Sequence, residues 1–241
     1  NLNAGSTLNT PFIVTSDRFP SNPSIGFLWN SGKVVATGST NNFIQTFGGF
    51  NYDNKIQIGT GAVLDTAGYD IGVGVSMLAV GSGGLTKLGA GTLTLTGTNV
   101  AYAGSTVVGG GTLMVADGWH PSAGSQVVIS NGFVLNLNFA GSKEVGGLVI
   151  NGVTLPNGTY NNGNKPANIS GTGSLLVTGG PRNMVWNNGA ATGNWNTTDA
   201  NWTGLIWANS RPDNAVFTTV GGSINLTGPI TAGSFTFGSS A

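Results

Sequence analysis

The sequence predicts an all-β protein whose short strands stack on one another, and three observations carry that prediction. The segment Leu85–Val115 holds two near-copies of one phrase: a Gly-rich turn, then Gly-Thr-Leu opening an alternating strand. Leu93 and Leu95 face one way in the first copy, with Thr92, Thr94 and Thr96 opposite; Leu113 and Val115 repeat the arrangement 20 positions later (113 − 93). A unit this short cannot bury its apolar edge alone and has to stack on another like itself. Secondly, no segment spaces its apolar residues at three and four, and Gly, Thr, Val and Asn dominate where a helix would need better formers. Thirdly, alternating runs are separated by turn signals at the roughly 8–12-residue spacing of all-β architectures.

The elements follow in order. Residues 1–84 form a less regular region with a Pro-containing insertion, Asp17 to Pro23, expected as a surface loop, and a strand at 55–58. Residues 85–180 hold the regular repeats. Strands are expected there at 92–96, 106–108, 112–115, 126–129, 133–139, 147–150 and 174–178. The cleanest alternation is Phe133, Leu135, Leu137 and Phe139, with Val134, Asn136 and Asn138 opposite. A tight hairpin is expected where Leu148-Val149-Ile150 meets Val153-Thr154-Leu155 through Asn151-Gly152, because Asn-Gly supplies the positive φ angles of a type I′ turn. Gly179-Gly180-Pro181 is the boundary candidate, since Pro ends strand pairing and Gly bends freely. Residues 181–241 open Trp-rich and return to strands at 223–227 and 234–237.

Composition excludes several function classes. Gly contributes 42 of 241 residues without the every-third period that collagen needs. Apolar and aromatic residues make up 39%, too many for a disordered linker. Charged residues are only 7%, against about 25% in an ordinary domain, and the formal net charge is zero, so copies do not repel one another. Lys and Arg are scattered singly, which argues against nucleic acid. Cysteine is absent, removing disulfides and thiolate metal sites. The longest apolar stretch, around Val73 to Val80, is broken by Gly74 and Ser76, and no transmembrane segment is expected. With no Met at position 1 and no signal peptide, the chain reads as processed or as an excerpt of something longer.

The segment Gly89–Val115 resembles the autotransporter-associated β-strand repeat, or passenger-associated transport repeat. That pattern is met by Gly89, Gly91, Thr92, Leu93, Leu95, Gly97, Asn99, Tyr102, Gly104, Thr106, Val108, Gly111, Thr112, Leu113 and Val115, with Ala101 as one extra residue. The run Ile169–Val177 resembles the closing phrase of such modules, as do Trp186, Trp195 and Trp202 followed by Asp213–Phe217. The resemblance implies a right-handed parallel β-solenoid (β-helix) in a secreted bacterial protein, extracellular or at the cell surface. The opening Asn1–Leu8 is similar to the strand that would follow Gly233–Ala241, so both ends are expected to be cut in mid-solenoid, the end of one unit running onto the start of the next.

Candidate sites are few. Trp186, Trp195, Trp202 and Trp207 lie amid Asn and Gly; they either fill an irregular cap or subunit interface, or stack on sugar rings. The first reading is favoured because Trp supplies much buried area per residue. His120, the single histidine, sits in the loop DGWHPSAG and reads as a loop residue. Asp65 and Asp70, with Asp53 and Lys55 upstream, are the nearest approach to the paired acids of a glycan hydrolase, but their flanks read as turns; Asp17-Arg18 reads as a loop ion pair. Gly109-Gly110-Gly111 and Gly81–Gly84 lack the endings of phosphate loops, no calcium rhythm occurs, and no cofactor or metal is expected. Asn157, Asn168, Asn196, Asn201 and Asn225 open glycosylation triplets of the kind that arise by chance in a chain this rich in Asn and Thr.

The expected function is mechanical: a non-enzymatic extracellular structural protein, a subunit or repeat of a self-assembling filament, sheath or surface layer, whose partner is another copy or the adjoining repeat. An adhesin module binding polysaccharide is the alternative, and a polysaccharide-degrading enzyme a more distant one.

Overall fold

The computed structural model describes residues 1–16, 27–47, 56–203, 205–209, 213–218 and 223–238. The Asp17–Pro23 loop, the Asp17-Arg18 pair, Asp53, Lys55 and the last residues, 239–241, lie outside that set. Among the described residues there is no helix, and the chain is all-β.

The chain divides into two compact units: residues 1–153 with 158–178, and residues 154–157 with 179–241. In the first, the chain passes back and forth between two sheets of parallel strands. One sheet runs Phe27–Ala36, Ile56–Asp65, Leu85–Leu88, Thr106–Val108, Gln126–Ile129 and Gly147–Ile150. The other runs Ile71–Val73, Thr92–Leu95, Thr112–Ala116, Val134–Asn138 and Ile169–Gly171. Strands on either side of residue 84 thus belong to one ladder.

Parallel pairing without slippage puts like residue on like residue, which builds the core as columns. Ile71, Leu93, Leu113, Leu135 and Ile169 lie in direct register, each at most 2% exposed. Val73, Leu95, Val115 and Leu137 form a second buried column beside them. Thr92 and Thr94 of the same strand are half-buried and Thr96 is exposed, so the alternation expected from sequence places Leu inside. Burying an aliphatic side chain stabilises by roughly 1.5–3 kcal/mol, so these columns are the main source of cohesion in a chain with few charges.

The repeat glycines have a specific cause. A Cβ at Gly91 would run into the Tyr69 carbonyl, and one at Gly111 into the carbonyls of Ala90 and Gly91. Each Gly-rich turn lies directly on the turn beneath it, leaving no room for a side chain.

Asn151 and Gly152 both take positive φ, 54° and 79°, the combination a two-residue I′ turn requires, between the strand at Gly147–Ile150 and the strand beginning at Val153. Later, Ser174–Val177 pairs with Ser142–Val145 in parallel and with Gly158–Asn161 antiparallel. In the second unit, Asn183–Val185, Asn214–Phe217 and Ser234–Phe237 form a parallel sheet, and Asn194–Trp195 pairs with Asn225–Leu226 in parallel.

Candidate functional site

The tryptophans of the second unit form its core. Trp186 and Trp195 are 4% exposed, Trp207 1% and Trp202 0%. The rings pack mostly edge to face: Trp195 lies 4.7 Å from Trp202 and 4.9 Å from Trp207, and Trp186 lies 5.1 Å from Trp202, between ring centres. Such pairs add about 0.5–1.5 kcal/mol each beyond the area they bury. The indole of Trp207 donates to the Thr231 carbonyl at 3.2 Å, whereas the Trp195 and Trp202 indoles have no hydrogen-bond acceptor among the described residues. Sugar stacking uses exposed ring faces; in this structure the four faces meet one another.

The amide side chains around these rings are spent on the backbone. Asn201, fully buried, accepts from the Ala190 amide at 2.8 Å and donates to Thr192 Oγ1 at 2.8 Å and to the Asn194 carbonyl at 2.9 Å. Asn187, Asn188 and Asn196 accept from the amides of Gly189, Gly193 and Asp199. Thr192 donates to Asp199 at 2.7 Å, and hydrogen bonds led by this one hold the Asp199 carboxyl below its ordinary value. Asp213, fully buried, accepts from the Arg182 amide at 2.7 Å, and its other oxygen from the Arg182 guanidinium at 2.6 and 3.0 Å. The richness in Asn, Asp and Thr here therefore stabilises an irregular backbone wrapped around aromatic rings.

The other candidates are dispersed. Asp65 accepts from the Ala67 amide at 2.9 Å and lies 3.6 Å from Lys33 Nζ; Asp70 accepts from the Thr92 amide at 2.7 Å. Both carboxylates thus hold turns. His120 is exposed, while its neighbour Trp119 is buried and donates from Nε1 to the Tyr102 hydroxyl at 3.2 Å. Tyr102 in turn shares a 2.7 Å hydrogen bond with buried Thr106. That contact explains why the repeat carries a Tyr and a Thr four positions apart. Burial pushes the Tyr102 phenol up to about 12.

Sequence reasoning missed Lys87. It occupies the buried column Leu64, Lys87, Val108, Ile129 and is fully buried. Its Nζ donates to Thr66 Oγ1 at 3.0 Å and to the carbonyls of Leu88 at 3.0 Å and Gly89 at 2.7 Å, using all three protons. Burial pulls the ammonium down to about 8, and the charges of Asp65 and Asp70 act in the opposite direction. The signal was available, since Lys87 alternates in phase with Leu85 in Leu-Thr-Lys-Leu.

Residues 85–115 match the passenger-associated-transport-repeat family. No curated protein and no solved structure matches the chain.

Proposed function

We propose, proceeding from the passenger-associated transport repeat that the chain carries at residues 85–115, that this is a structural module of an extracellular or cell-surface protein. Its two-sheet parallel ladder is read as a right-handed β-solenoid, the hand that parallel crossovers overwhelmingly take. The module builds a filament, sheath or surface layer by stacking end to end, with backbone ladders and apolar columns continuing from one unit into the next. The next unit is either another copy or a further stretch of the same polypeptide. The reading is non-catalytic, in keeping with carboxylates that serve turns.

One observation carries it: several buried columns end on exposed residues at edge strands. In the second unit buried Trp195 is followed in register by Leu226, 65% exposed. Buried Ala215 is followed by Phe235, 58% exposed, and Phe217 by Phe237, 73% exposed. In the first unit, fully buried Val34 is preceded by Leu8, 36% exposed. Natural sheets protect such edges with Lys, Pro or inward-facing charge. The strands Thr7–Thr10, Asn225–Leu226 and Ser234–Phe237 contain none of these.

Imaging of the purified chain by electron microscopy tests this, alongside a variant carrying Phe235→Asp and Phe237→Asp. The unaltered chain is expected to give filaments or sheets. The variant, whose substitutions fall on exposed positions, is expected to keep its circular dichroism spectrum and remain dispersed. Dispersed particles from the unaltered chain, or equal assembly by the variant, would contradict the proposal.

A further inference from the structure

The first unit carries a groove of about 230 Å³ on the outer side of its longer sheet, where the strands bend. The bend is visible in the backbone: Ser31 takes a φ of 64°, and the register between Phe27–Ala36 and Ile56–Asp65 shifts on either side of Asn30. Gly61 and Gly84 line the groove. A Cβ on Gly84 would strike the Ser105 carbonyl, so the next strand lies directly against this glycine.

We infer that this groove is a binding subsite for a neutral carbohydrate chain lying along the direction in which the strands stack. The lining contains no charged side chain, which favours a neutral ligand over an anionic polymer. Its polar side chains are all hydroxyls: Ser31, Thr60, Thr86 and Ser105. Hydroxyls donate and accept, as those of a sugar do, so either partner can fill either role. The Ser31 and Thr60 hydroxyls are paired at 2.9 Å, while the Thr86 and Ser105 hydroxyls have no hydrogen-bond partner among the described residues. Val63 and Val107 flank Thr86 in register and supply apolar surface for the C–H face of a ring. The lining comes from four neighbouring strands, so the groove extends about 14 Å along the stack at roughly 4.8 Å per strand. That is the shape of a slot for a linear chain rather than of a closed pocket for a compact molecule. This site is separate from the tryptophans of the second unit and does not depend on assembly.

Equilibrium dialysis against labelled cellohexaose, with an oligogalacturonate of equal length as the anionic control, tests the inference on monomers or filaments alike. The protein is expected to retain the neutral oligomer and not the anionic one. Thr86→Val combined with Ser105→Ala removes the two unpaired hydroxyls at nearly constant volume and should weaken retention roughly tenfold or more, the effect of losing two ordinary hydrogen bonds. Val107→Phe, which fills the slot instead, should give the same loss, with an unchanged melting temperature verifying the fold of each variant. No retention of cellohexaose, equal retention of the charged oligomer, or undiminished retention by both variants would overturn the proposal.

Discussion

At Lys87 a single ammonium interrupts an otherwise apolar column and is satisfied by a hydroxyl and two turn carbonyls. In the unfolded chain it titrates near 10.5 and in the folded one at about 8. Between those values the unfolded state binds more protons, so stability rises with pH across that window; below it both states are charged and the penalty is constant. The gap corresponds to on the order of 3 kcal/mol. Tyr102 acts in the other direction. Its folded value of about 12 lies above the ordinary 10.0, so the neutral phenol's contribution is lost as pH rises beyond 10. The melting temperature is therefore expected to climb from pH 8 to pH 10 and then fall. In Lys87→Met the climb should vanish, and at pH 7 the removed desolvation cost should offset the orphaned Gly89 carbonyl to within about 1–2 kcal/mol. A variant that kept the full climb would show that another group titrates there. The tryptophans teach the opposite lesson about legibility. Trp amid Asn and Gly is compatible with a wet platform or a dry core. Only contacts between residues far apart in sequence, such as Trp186 with Trp202 and Trp195 with Trp207, decide for the core.

Among the elements, the repeat was legible because its alternation is local. Thr92–Leu95 and Thr112–Ala116 fall where the pattern puts them, and Leu93, Leu95, Leu113 and Val115 are 0–1% exposed. The long strands Phe27–Ala36 and Ile56–Asp65 were not legible over most of their length. Their alternation breaks at the bend, at Ser31 with φ 64° and at Gly61 with φ 152°. Short strands such as Ile71–Val73 and Met77–Ala79 escaped because three residues outside the repeated phrase carry no period of their own; partners in the next strand define them. The column geometry makes a sharp prediction. Leu113→Asp would place a carboxylate between Leu93 and Leu135, costing several kcal/mol, and should abolish the cooperative urea transition. Met114→Asp, one residue along on the half-buried outer row, should change stability by less than about 1 kcal/mol. Equal effects at the two positions would mean that the register is wrong.

For the whole molecule, eight basic and eight acidic residues give a formal net charge of zero, so the proposed stacking must be driven by apolar columns and backbone ladders. Assembly should then be nearly insensitive to ionic strength, and light scattering in 0.05 M and 0.5 M salt would check this. A strong loss of scattering at high salt would point instead to ion pairs between units. The same neutrality leaves the partner open: a balanced, sparsely charged chain carries little information about what it meets.

In the proposed assembly, strands stack in parallel along one axis and this stacking continues from unit to unit. X-ray diffraction from oriented, assembled material measures that most directly. A sharp reflection near 4.8 Å along the fibre axis is expected, from strands lying across the axis at the spacing of a β-ladder. Oriented fibres whose 4.8 Å reflection fell on the equator would place the strands along the axis, and the account of end-to-end stacking would be wrong.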